Sequence, residues 1–413
     1  MGSRKNILIW GTGLKGQKAF DTLIQYTQTY NIVAFGDNDK NKVGKYFCNR
    51  EIIDATKLCQ CVNIDMIFLA TSAKRSVREQ LSSLVSVPIY DDIDKLIFPF
   101  PRVAIDISGF CNAKCKYCVT GRKNRKGKSI DRSKYMDFKL FTQIYEHLTS
   151  IKVVMQETEI MLYNWGEPLI NPDYIRIIEY LADKKQKFSV STNASVAPLT
   201  ENRNAYESCI AFIFSMSGFS QQSYDKIHQF SFNTIKTNII KLTDNLFQNG
   251  FQGDASISWH VYKFNMNEIK LGVEFAESLN LRFDSYYPYF AGLSLACDFW
   301  KGKMVSEQKD IADDLILDYV EGLLKNRPAD YRCCLENILS IDYKGNFVLC
   351  CGSDEDCEDF EWKTVFDISS LEDMLALRRK MLQCNTCNIC REKGYDYWME
   401  KNPKWQVCEG KFI

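Results

Sequence analysis

Three cysteines follow one short apolar run with the spacing C-x-x-x-C-x-x-C, at Cys111, Cys115 and Cys118. The run, Val103–Ile107, is predicted to be a buried strand, so the three thiols share one loop at its carboxyl end. Three thiolates can ligate three irons of a cubane cluster, and such clusters normally take four, which leaves one iron open. A structural zinc site would want four nitrogen or sulfur ligands, and no fourth lies nearby in the sequence.

The cysteine content of the whole chain supports metal or redox chemistry. There are 17 cysteines in 413 residues, an odd total that fits a closed disulfide framework poorly. The first apolar run, Ile7–Trp10, is too short for a secretory signal, so we expect a cytoplasmic protein with reduced thiols. Isolated cysteines such as Cys48, Cys209 and Cys297 are expected to act as small buried hydrophobic residues.

Charge and histidine content exclude several classes of function. Lys and Arg total 52, as do Asp and Glu, so the balanced charge argues against a protein that mainly holds nucleic acid or an anionic membrane. No stretch approaches the ~18 apolar residues of a membrane helix. With three histidines, a Ser–His–Asp site or a His-rich metal site is not expected, and His260 is predicted to be a core or cofactor-side contact.

Apolar periodicity predicts a mixed α/β chain of several domains. Strand and helix patterns alternate over 1–98, which ends at the stiff Phe98-Pro99-Phe100-Pro101. About six further βα units follow over 99–300 and predict a parallel sheet or a partial (β/α)6 TIM barrel. Residues 301–330 are predicted to be a linker with one amphipathic helix over 311–325. The cysteine-rich remainder, 331–413, contains one hairpin pattern and one helix pattern.

The three-cysteine loop resembles the hallmark of the radical S-adenosylmethionine enzymes, and the aromatic Tyr117 before the last cysteine also matches. The resemblance implies a 4Fe–4S cluster on Cys111, Cys115 and Cys118. Its open iron would bind the amino and carboxyl groups of S-adenosylmethionine. An electron from the cluster would then cleave the sulfonium to a 5′-deoxyadenosyl radical.

Three further segments resemble this family in the same order along the chain. Gly166 and Glu167 lie in a segment similar to the Gly-Gly-Glu-Pro motif, with Trp165 in place of the first glycine, which implies contacts to the methionine amino group. Ser191 and Asn193 follow the next strand and resemble ribose and carboxylate contacts. Ser217 lies in a segment similar to the family's fourth strand. All would stand at the carboxyl ends of strands, where barrel active sites collect.

The tail holds a second group of cysteines, namely Cys333, Cys334, Cys350, Cys351, Cys357, Cys384, Cys387, Cys390 and Cys408. With Gly345 between the first two pairs, the pattern resembles the SPASM/Twitch extension that binds auxiliary clusters. The simplest set that this implies is Cys334, Cys350, Cys387 and Cys390. Cys333 and Cys351 are open alternatives, as are one or two clusters, and a structural zinc site is the competing interpretation.

The first domain begins with a glycine pattern, Gly11-x-Gly13-x-x-Gly16, between a predicted strand and helix, and Asp37 ends the next strand. This is the dinucleotide-binding fingerprint, in which a helix N-terminus faces a pyrophosphate and an acidic residue accepts from a ribose. The segment also resembles small Rossmann-like domains fused to sugar-modifying proteins. Binding of a nucleotide or NAD, and a purely structural or docking role, are both open.

Basic residues are frequent after the first cysteine loop, at Arg122, Lys123, Arg125, Lys126, Lys128, Arg132 and Lys134. They form either a solvated loop or a surface that attracts an anionic substrate to the mouth of the barrel.

The leading hypothesis is a radical S-adenosylmethionine iron–sulfur oxidoreductase. It would abstract a hydrogen from a small anionic or nucleotide-linked sugar metabolite and pass an electron to an auxiliary cluster. A flavodoxin- or ferredoxin-type protein would supply the first electron. One alternative is a maturase that oxidises or crosslinks a ribosomal peptide. Another is a non-catalytic zinc- or nucleotide-binding adaptor, against which the intact three-cysteine loop argues.

Overall fold

The computed structural model describes residues 5–24, 27, 30–58, 63–93, 96, 99–125, 134–303, 306–329, 331, 333–353 and 363–401. The chain forms two compact units, Met1–Pro99 and Phe100–Ile413. Among the described residues, no helix has both the length and the apolar character required to span a bilayer.

The first unit is a sheet with helices on its faces. Its strands are β1 (Lys5–Trp10), β2 (Tyr30–Gly36), β3 (Tyr46–Phe47), β4 (Arg50–Ile53), β5 (Met66–Leu69) and β6 (Ile89–Tyr90), in the spatial order β3-β4-β2-β1-β5-β6. All pairs are parallel except β3–β4. The helices are α1 (Leu14–Leu23), α2 (Ala55–Leu58) and α3 (Lys74–Ser82). Side chains of β1 alternate between two buried clusters, as expected for a strand covered on both faces.

The second unit contains six parallel strands in sequential order. They are β7 (Arg102–Ile105), β8 (Glu159–Met161), β9 (Phe188–Thr192), β10 (Cys209–Met216), β11 (Asp254–His260) and β12 (Arg282–Tyr286). The predicted β/α alternation is therefore present, and it is consistent with the partial TIM barrel of a radical S-adenosylmethionine enzyme. The parallel arrangement places the loops after these strands at one edge of the sheet.

Helices of this unit pack one apolar stripe against the strands. They are α4 (Val119–Arg125), α5 (Phe138–Ser150), α6 (Tyr174–Asp183), α7 (Arg203–Ser208), α8 (Gln221–Lys226), α9 (Phe232–Gln248) and α10 (Ile269–Ser278). Apolar side chains at helical spacing on α5, α6 and α9 are buried. Asp137 caps α5 by accepting from the Leu140 amide, which fixes where that helix begins.

The last part of the second unit contains helices and a hairpin that extends the sheet. Its elements are α11 (Leu293–Trp300), α12 (Ser306–Asp314), α13 (Leu317–Lys325), β13 (Ile338–Ile341), β14 (Phe347–Val348), α14 (Leu371–Met381), α15 (Asn385–Glu392) and α16 (Tyr395–Lys401). The predicted hairpin is present, with Gly345 at φ +85° in its turn. Strand β13 pairs in parallel with β7, so the hairpin extends the barrel sheet beyond its first strand.

The prediction of a single helix over 311–325 is wrong, because the segment forms two helices, α12 and α13, with a non-helical turn between them. Leu315 turns into the core and is fully buried. The carbonyl of Asp314 accepts from the Lys263 amide at 3.0 Å instead of continuing the helix. Its carboxylate also forms an ion pair with Lys116. These tertiary contacts outweigh the helical periodicity of the segment.

Candidate active site

The three-cysteine loop leaves the carboxyl end of β7 and leads directly into α4. Cys115 is buried, whereas Cys111 and Cys118 are half-buried. Burial raises the pKa of all three thiols, and the backbone amides of Gly121 and Thr120 oppose this for Cys118. A Cβ on Gly121 would lie 2.4 Å from the nitrogen and oxygen of Cys115, so α4 packs on the loop only because this residue is glycine.

Side chains from outside the motif fasten the loop. Asn124 donates to the carbonyls of Cys111 at 2.5 Å and Ala113 at 2.7 Å. Arg125 donates to the carbonyls of Lys226 and Ile227, at 2.8 and 3.0 Å, and thereby ties α4 to the end of α8. Arg125 therefore has a structural role, and Lys126, Lys128 and Arg132 lie outside the described residues.

The Gly166 segment is held against the same loop. Its amide and that of Trp165 donate to the buried carboxylate of Asp106, at 3.1 and 2.9 Å. Burial raises the pKa of Asp106 to about 7, although these amides oppose it. A Cβ on Gly166 would lie 1.6 Å from the Ser108 carbonyl oxygen, so only glycine allows this approach. Asp106 was not among the predicted site residues, because it belongs to none of the motifs. Its position directly after β7 is the one sequence feature that points to it.

Glu167 joins the ends of the second and third barrel strands. Its carboxylate accepts from the Thr192 hydroxyl at 2.6 Å and from the amides of Asn193 and Leu169 at 2.7 and 3.1 Å. Burial raises its pKa to about 7, and the same donors oppose the rise. The carboxylate thus positions Asn193, whose side-chain amide lies 3.5 Å from the Cys111 sulfur as a donor.

Several buried hydroxyls have no hydrogen-bond partner within the described residues, and two of them lie in or beside the segments that resemble the family motifs. These two belong to Ser108, in the loop after β7, and Ser217, directly after β10. Ser191 is half-buried near the end of β9. Buried polar groups in proteins are normally paired, so unpartnered hydroxyls fit a site that a polar ligand completes. Together with three thiols on one loop, they fit a 4Fe–4S cluster and S-adenosylmethionine.

Tyr117 belongs to a buried network that the motif did not reveal. Its hydroxyl lies 2.7 Å from Nδ1 of His260, and the Tyr286 hydroxyl lies 2.6 Å from Nε2. Burial lowers the pKa of His260 well below its ordinary value, so the ring is neutral. A neutral imidazole carries one N–H, so one phenol donates to the ring and the other accepts from it. His260 is buried and contacts the cysteine loop through Tyr117, which fits both predicted alternatives, a core residue and a cofactor-side contact.

Four tail cysteines line one cavity of about 490 Å³, namely Cys333, Cys350, Cys387 and Cys390. Cys334 and Cys384 neighbour this set in sequence but do not line the cavity, and Cys351 is exposed. Burial raises the pKa of the Cys350 thiol, and the Arg378 guanidinium opposes it. Cys357 and Cys408 lie outside the described residues, within which no three Cys, His, Asp or Glu side chains converge on one metal position.

A second cavity, of about 1330 Å³, lies beside the cysteine loop. Asp106 and Trp165 line it from the strand ends, and Tyr343 lines it from the tail hairpin. Its cationic side chains come from three segments, with Lys123 on α4, Lys134 before α5 and Lys344 in the hairpin. Asp342 lines the cavity as well, so three basic side chains face two carboxyl groups in this lining.

The glycine pattern of the first unit forms the turn from β1 to α1. Gly11 has φ +120°, and a Cβ on Gly16 would lie 2.1 Å from the Gly11 carbonyl oxygen. Gly13 faces open space, with no atom within 4 Å of a Cβ position. Asp37 accepts from the Thr12 amide at 3.2 Å and pairs with Lys42 at 3.3 Å. Hydrogen bonds and Lys42 hold the pKa of Asp37 below its ordinary value despite burial.

Two family models match the chain. Residues 3–91 match the C2185-like N-terminal family, and residues 105–270 match the radical SAM superfamily. A search of curated proteins found no match.

Solved structures of radical S-adenosylmethionine proteins resemble much of the chain at low identity. Streptococcus suis SuiB bound to its precursor peptide SuiA is 16% identical, with a TM-score of 0.46, over 82% of this chain and 88% of that one. The anSMEcpe structure with bound AdoMet is 13% identical, with a TM-score of 0.42, over 70% and 82%. BtrN with AdoMet and 2-DOIA is 16% identical, with a TM-score of 0.34, over 72% and 98%.

The family match begins at the end of β7 and extends into α10, so it contains the cysteine loop, the Asp106-bound glycine segment and the unpartnered Ser217. The sequence resemblance and the local geometry thus concern the same residues. The chain thus contains a radical SAM domain over residues 105–270, which supports an iron–sulfur radical SAM enzyme.

Proposed function

We propose that the protein oxidises its substrate by two electrons, with the second electron leaving through an auxiliary cluster in the tail. The observation that carries this proposal is the cavity lined by Cys333, Cys350, Cys387 and Cys390. Four thiolates close a 4Fe–4S cluster to substrate, so it can exchange electrons without binding the reactant. The lining favours Cys333 over the adjacent Cys334 as the first ligand. The tail, 331–413, would then be a SPASM/Twitch-like domain.

The electron balance explains why a second cluster is useful. Cys111, Cys115 and Cys118 would hold the cluster that supplies one electron, taken from a flavodoxin- or ferredoxin-type donor, for cleavage of S-adenosylmethionine to methionine and a 5′-deoxyadenosyl radical. Removal of one hydrogen atom from the substrate would give 5′-deoxyadenosine, and a closed-shell oxidised product would require the substrate to lose one more proton and one more electron. Cys333, Cys350, Cys387 and Cys390 would hold the group that accepts this electron.

A small anionic substrate is the class that the second cavity supports. Lys123, Lys134 and Lys344, from three separate segments, outnumber its two carboxyl groups and would attract a negatively charged ligand. Trp165 and Tyr343 offer flat apolar surfaces in the same cavity. A nucleotide-linked sugar combines the negative charge and the planar base that such a lining would recognise.

The first unit, 1–98, is proposed to be a Rossmann-like domain that binds a nucleotide. Gly13 precedes α1 at a point where nothing obstructs an approaching phosphate. Calorimetric titration of NAD(H) and common sugar nucleotides into the protein tests this, with Gly13→Val as the blocked variant. Binding to the wild type that Gly13→Val abolishes supports the nucleotide site. Equal binding, or none, favours a structural role for this domain.

The proposed electron conduit, meaning the auxiliary cluster held by the cavity cysteines, is tested by comparing Cys387→Ala with Cys384→Ser. Cys387 lines the cavity, whereas Cys384 caps α15 by accepting from the Cys387 amide, a bond that serine can keep. Sugar nucleotides are assayed for oxidised product per 5′-deoxyadenosine formed. We expect Cys387→Ala to form 5′-deoxyadenosine while this ratio falls at least tenfold, with Cys384→Ser unchanged. A folded Cys387→Ala protein that has lost a cluster but keeps the wild-type ratio would refute the conduit, and product from peptides alone would favour the maturase.

A further inference from the structure

A buried arginine borders the tail cavity. Arg378, on α14, is 3% exposed, and its guanidinium donates to three backbone carbonyls. These belong to Glu336 at 3.0 Å, Leu349 at 2.6 Å and Leu335 at 2.5 Å. The first and last follow the Cys333–Cys334 pair, and Leu349 precedes Cys350. One side chain therefore fixes the two segments that bring the first cysteines to the cavity.

Within the described residues, no carboxylate forms an ion pair with Arg378, although the half-buried Glu336 lies near enough for its charge to favour the protonated guanidinium. Asp396 lines the same cavity but is already paired with Arg327, at 2.8 and 2.9 Å. Arginine stays charged at every pH that a folded protein tolerates. A buried charge without a partner is strongly unfavourable, so something negative is expected beside it.

The nearest candidates for that negative charge are the cavity thiols. Arg378 lines the cavity with Cys333, Cys350 and Cys387. Burial lowers the pKa of its guanidinium, and the charges of these three sulfurs, together with that of Glu336, oppose this. An iron–sulfur cluster held by four thiolates carries a net negative charge. The charge and hydrogen bonds around such a cluster set its reduction potential.

We propose that Arg378 is the positioning residue and counter-charge of the auxiliary cluster, and that it raises the cluster's reduction potential. This rests on the proposed function of the cavity. A higher potential favours the cluster that has gained an electron, because the added negative charge lies beside a fixed positive one. Arg378 thus biases the tail toward accepting the electron that the substrate radical loses.

The test measures the potential of the tail cluster alone, in full-length protein carrying Cys111→Ala, Cys115→Ala and Cys118→Ala. In that background, Arg378→Gln keeps donors for the carbonyls and removes the charge, whereas Arg378→Lys keeps the charge and removes the planar fork. Arg379→Gln, an exposed neighbour on the same helix, is the matched control. Anaerobic redox titration followed by electron paramagnetic resonance, with iron and sulfide counts, gives the potential and the cluster content.

We expect Arg378→Gln to shift the potential to more negative values, while Arg378→Lys and Arg379→Gln stay near the parent value. If Arg378→Gln loses the cluster and Arg378→Lys retains it, the charge is still the required property. Equal potentials in the parent and Arg378→Gln, or equal loss of cluster in Arg378→Gln and Arg378→Lys, would overturn the proposal. A parent protein that takes up no tail cluster would instead refute the proposed function of the cavity.

Discussion

The two groups of cysteines are arranged differently, one on a single loop and the other on several segments. The difference shows when a cofactor site can be predicted from a sequence. In the barrel, Cys111, Cys115 and Cys118 share one loop, and the fold only has to hold that loop in place. In the tail, the cavity cysteines come from the segment before β13, the end of β14 and helix α15, so tertiary structure assembles the set. The spacing of cysteines along the chain is enough to predict the first site, whereas the second depends on how distant segments pack together.

The largest expected effect separates the two sites completely. Replacing Cys111, Cys115 and Cys118 together by alanine should abolish cleavage of S-adenosylmethionine, because no thiolates remain to hold the cluster with the open iron. The tail cluster should remain, since its ligands lie elsewhere. Anaerobic reconstitution, iron counts and a 5′-deoxyadenosine assay check both halves. Cleavage by this variant would refute the assignment of the loop.

The second prediction addresses the choice that spacing left open in the tail. Cys333→Ala should lose most of the tail iron, because this thiol lines the cavity, and Cys334→Ala should keep it. Both variants should still cleave S-adenosylmethionine. Iron and sulfide counts on the two proteins, prepared side by side, decide the matter. The reverse ranking would mean that the chain turns Cys334 inward when the cluster binds.

A third comparison uses two helical glycines with opposite surroundings. Gly121→Ala should displace the cysteine loop, since its Cβ would overlap the Cys115 backbone, and we expect the loop to lose its cluster or hold it several-fold more weakly. Gly322→Ala, in α13, meets nothing within 4 Å and should stabilise the protein by about 0.5–1 kcal/mol. Iron retention and thermal unfolding measure the two effects. Normal iron retention in Gly121→Ala would show that the loop is looser than its packing indicates.

The last prediction is a pH dependence set by the buried carboxyl groups beside the loop. Burial raises the pKa of Asp106 and Glu167 to about 7, so each takes up a proton in the folded protein at a pH where the unfolded chain is ionised. The stability that these two groups contribute should therefore be fully present below their ordinary pKa values, fall as the pH rises toward 7, and level off above it.

Each group contributes at most about 1.4 kcal/mol per pH unit to this slope. Urea unfolding at pH 5.5 and pH 7.5 measures it, and Asp106→Asn should reduce it, because asparagine keeps an acceptor for the backbone amides but cannot titrate. An unchanged slope in Asp106→Asn would mean that its carboxyl group stays ionised in the folded protein.

Structural features that depend on residues close in sequence could be predicted, whereas features that depend on distant residues could not. The βα alternation was predicted because apolar periodicity acts over a few turns. The hairpin β3–β4 was missed because Tyr46–Phe47 is too short for any periodicity. The break at Leu315 was missed because Lys263 causes it from a distant part of the chain.

The same reasoning applies to the site. Gly166, Glu167 and Asn193 lie together because each ends a neighbouring parallel strand, which order along the chain reveals. The partnership of His260 with Tyr117 and Tyr286 was not predicted, since it requires knowing which strand lies across the barrel from the loop. Arg378 was missed because one arginine in an amphipathic helix gives no sign that it points inward.

The parallel pairing of β13 with β7 has a consequence for how the protein is made. Strand β7 carries the cysteine loop, yet one of its two neighbours is synthesised only after the whole barrel. Until β13 arrives, β7 is an open edge that can pair with another chain. Folding therefore depends on a contact between distant parts of the sequence, which is slow to form. In a barrel that is still being synthesised, the cysteine loop would lie beside the unpaired edge of β7. The same stage of folding would therefore require both insertion of the cluster and protection from aggregation.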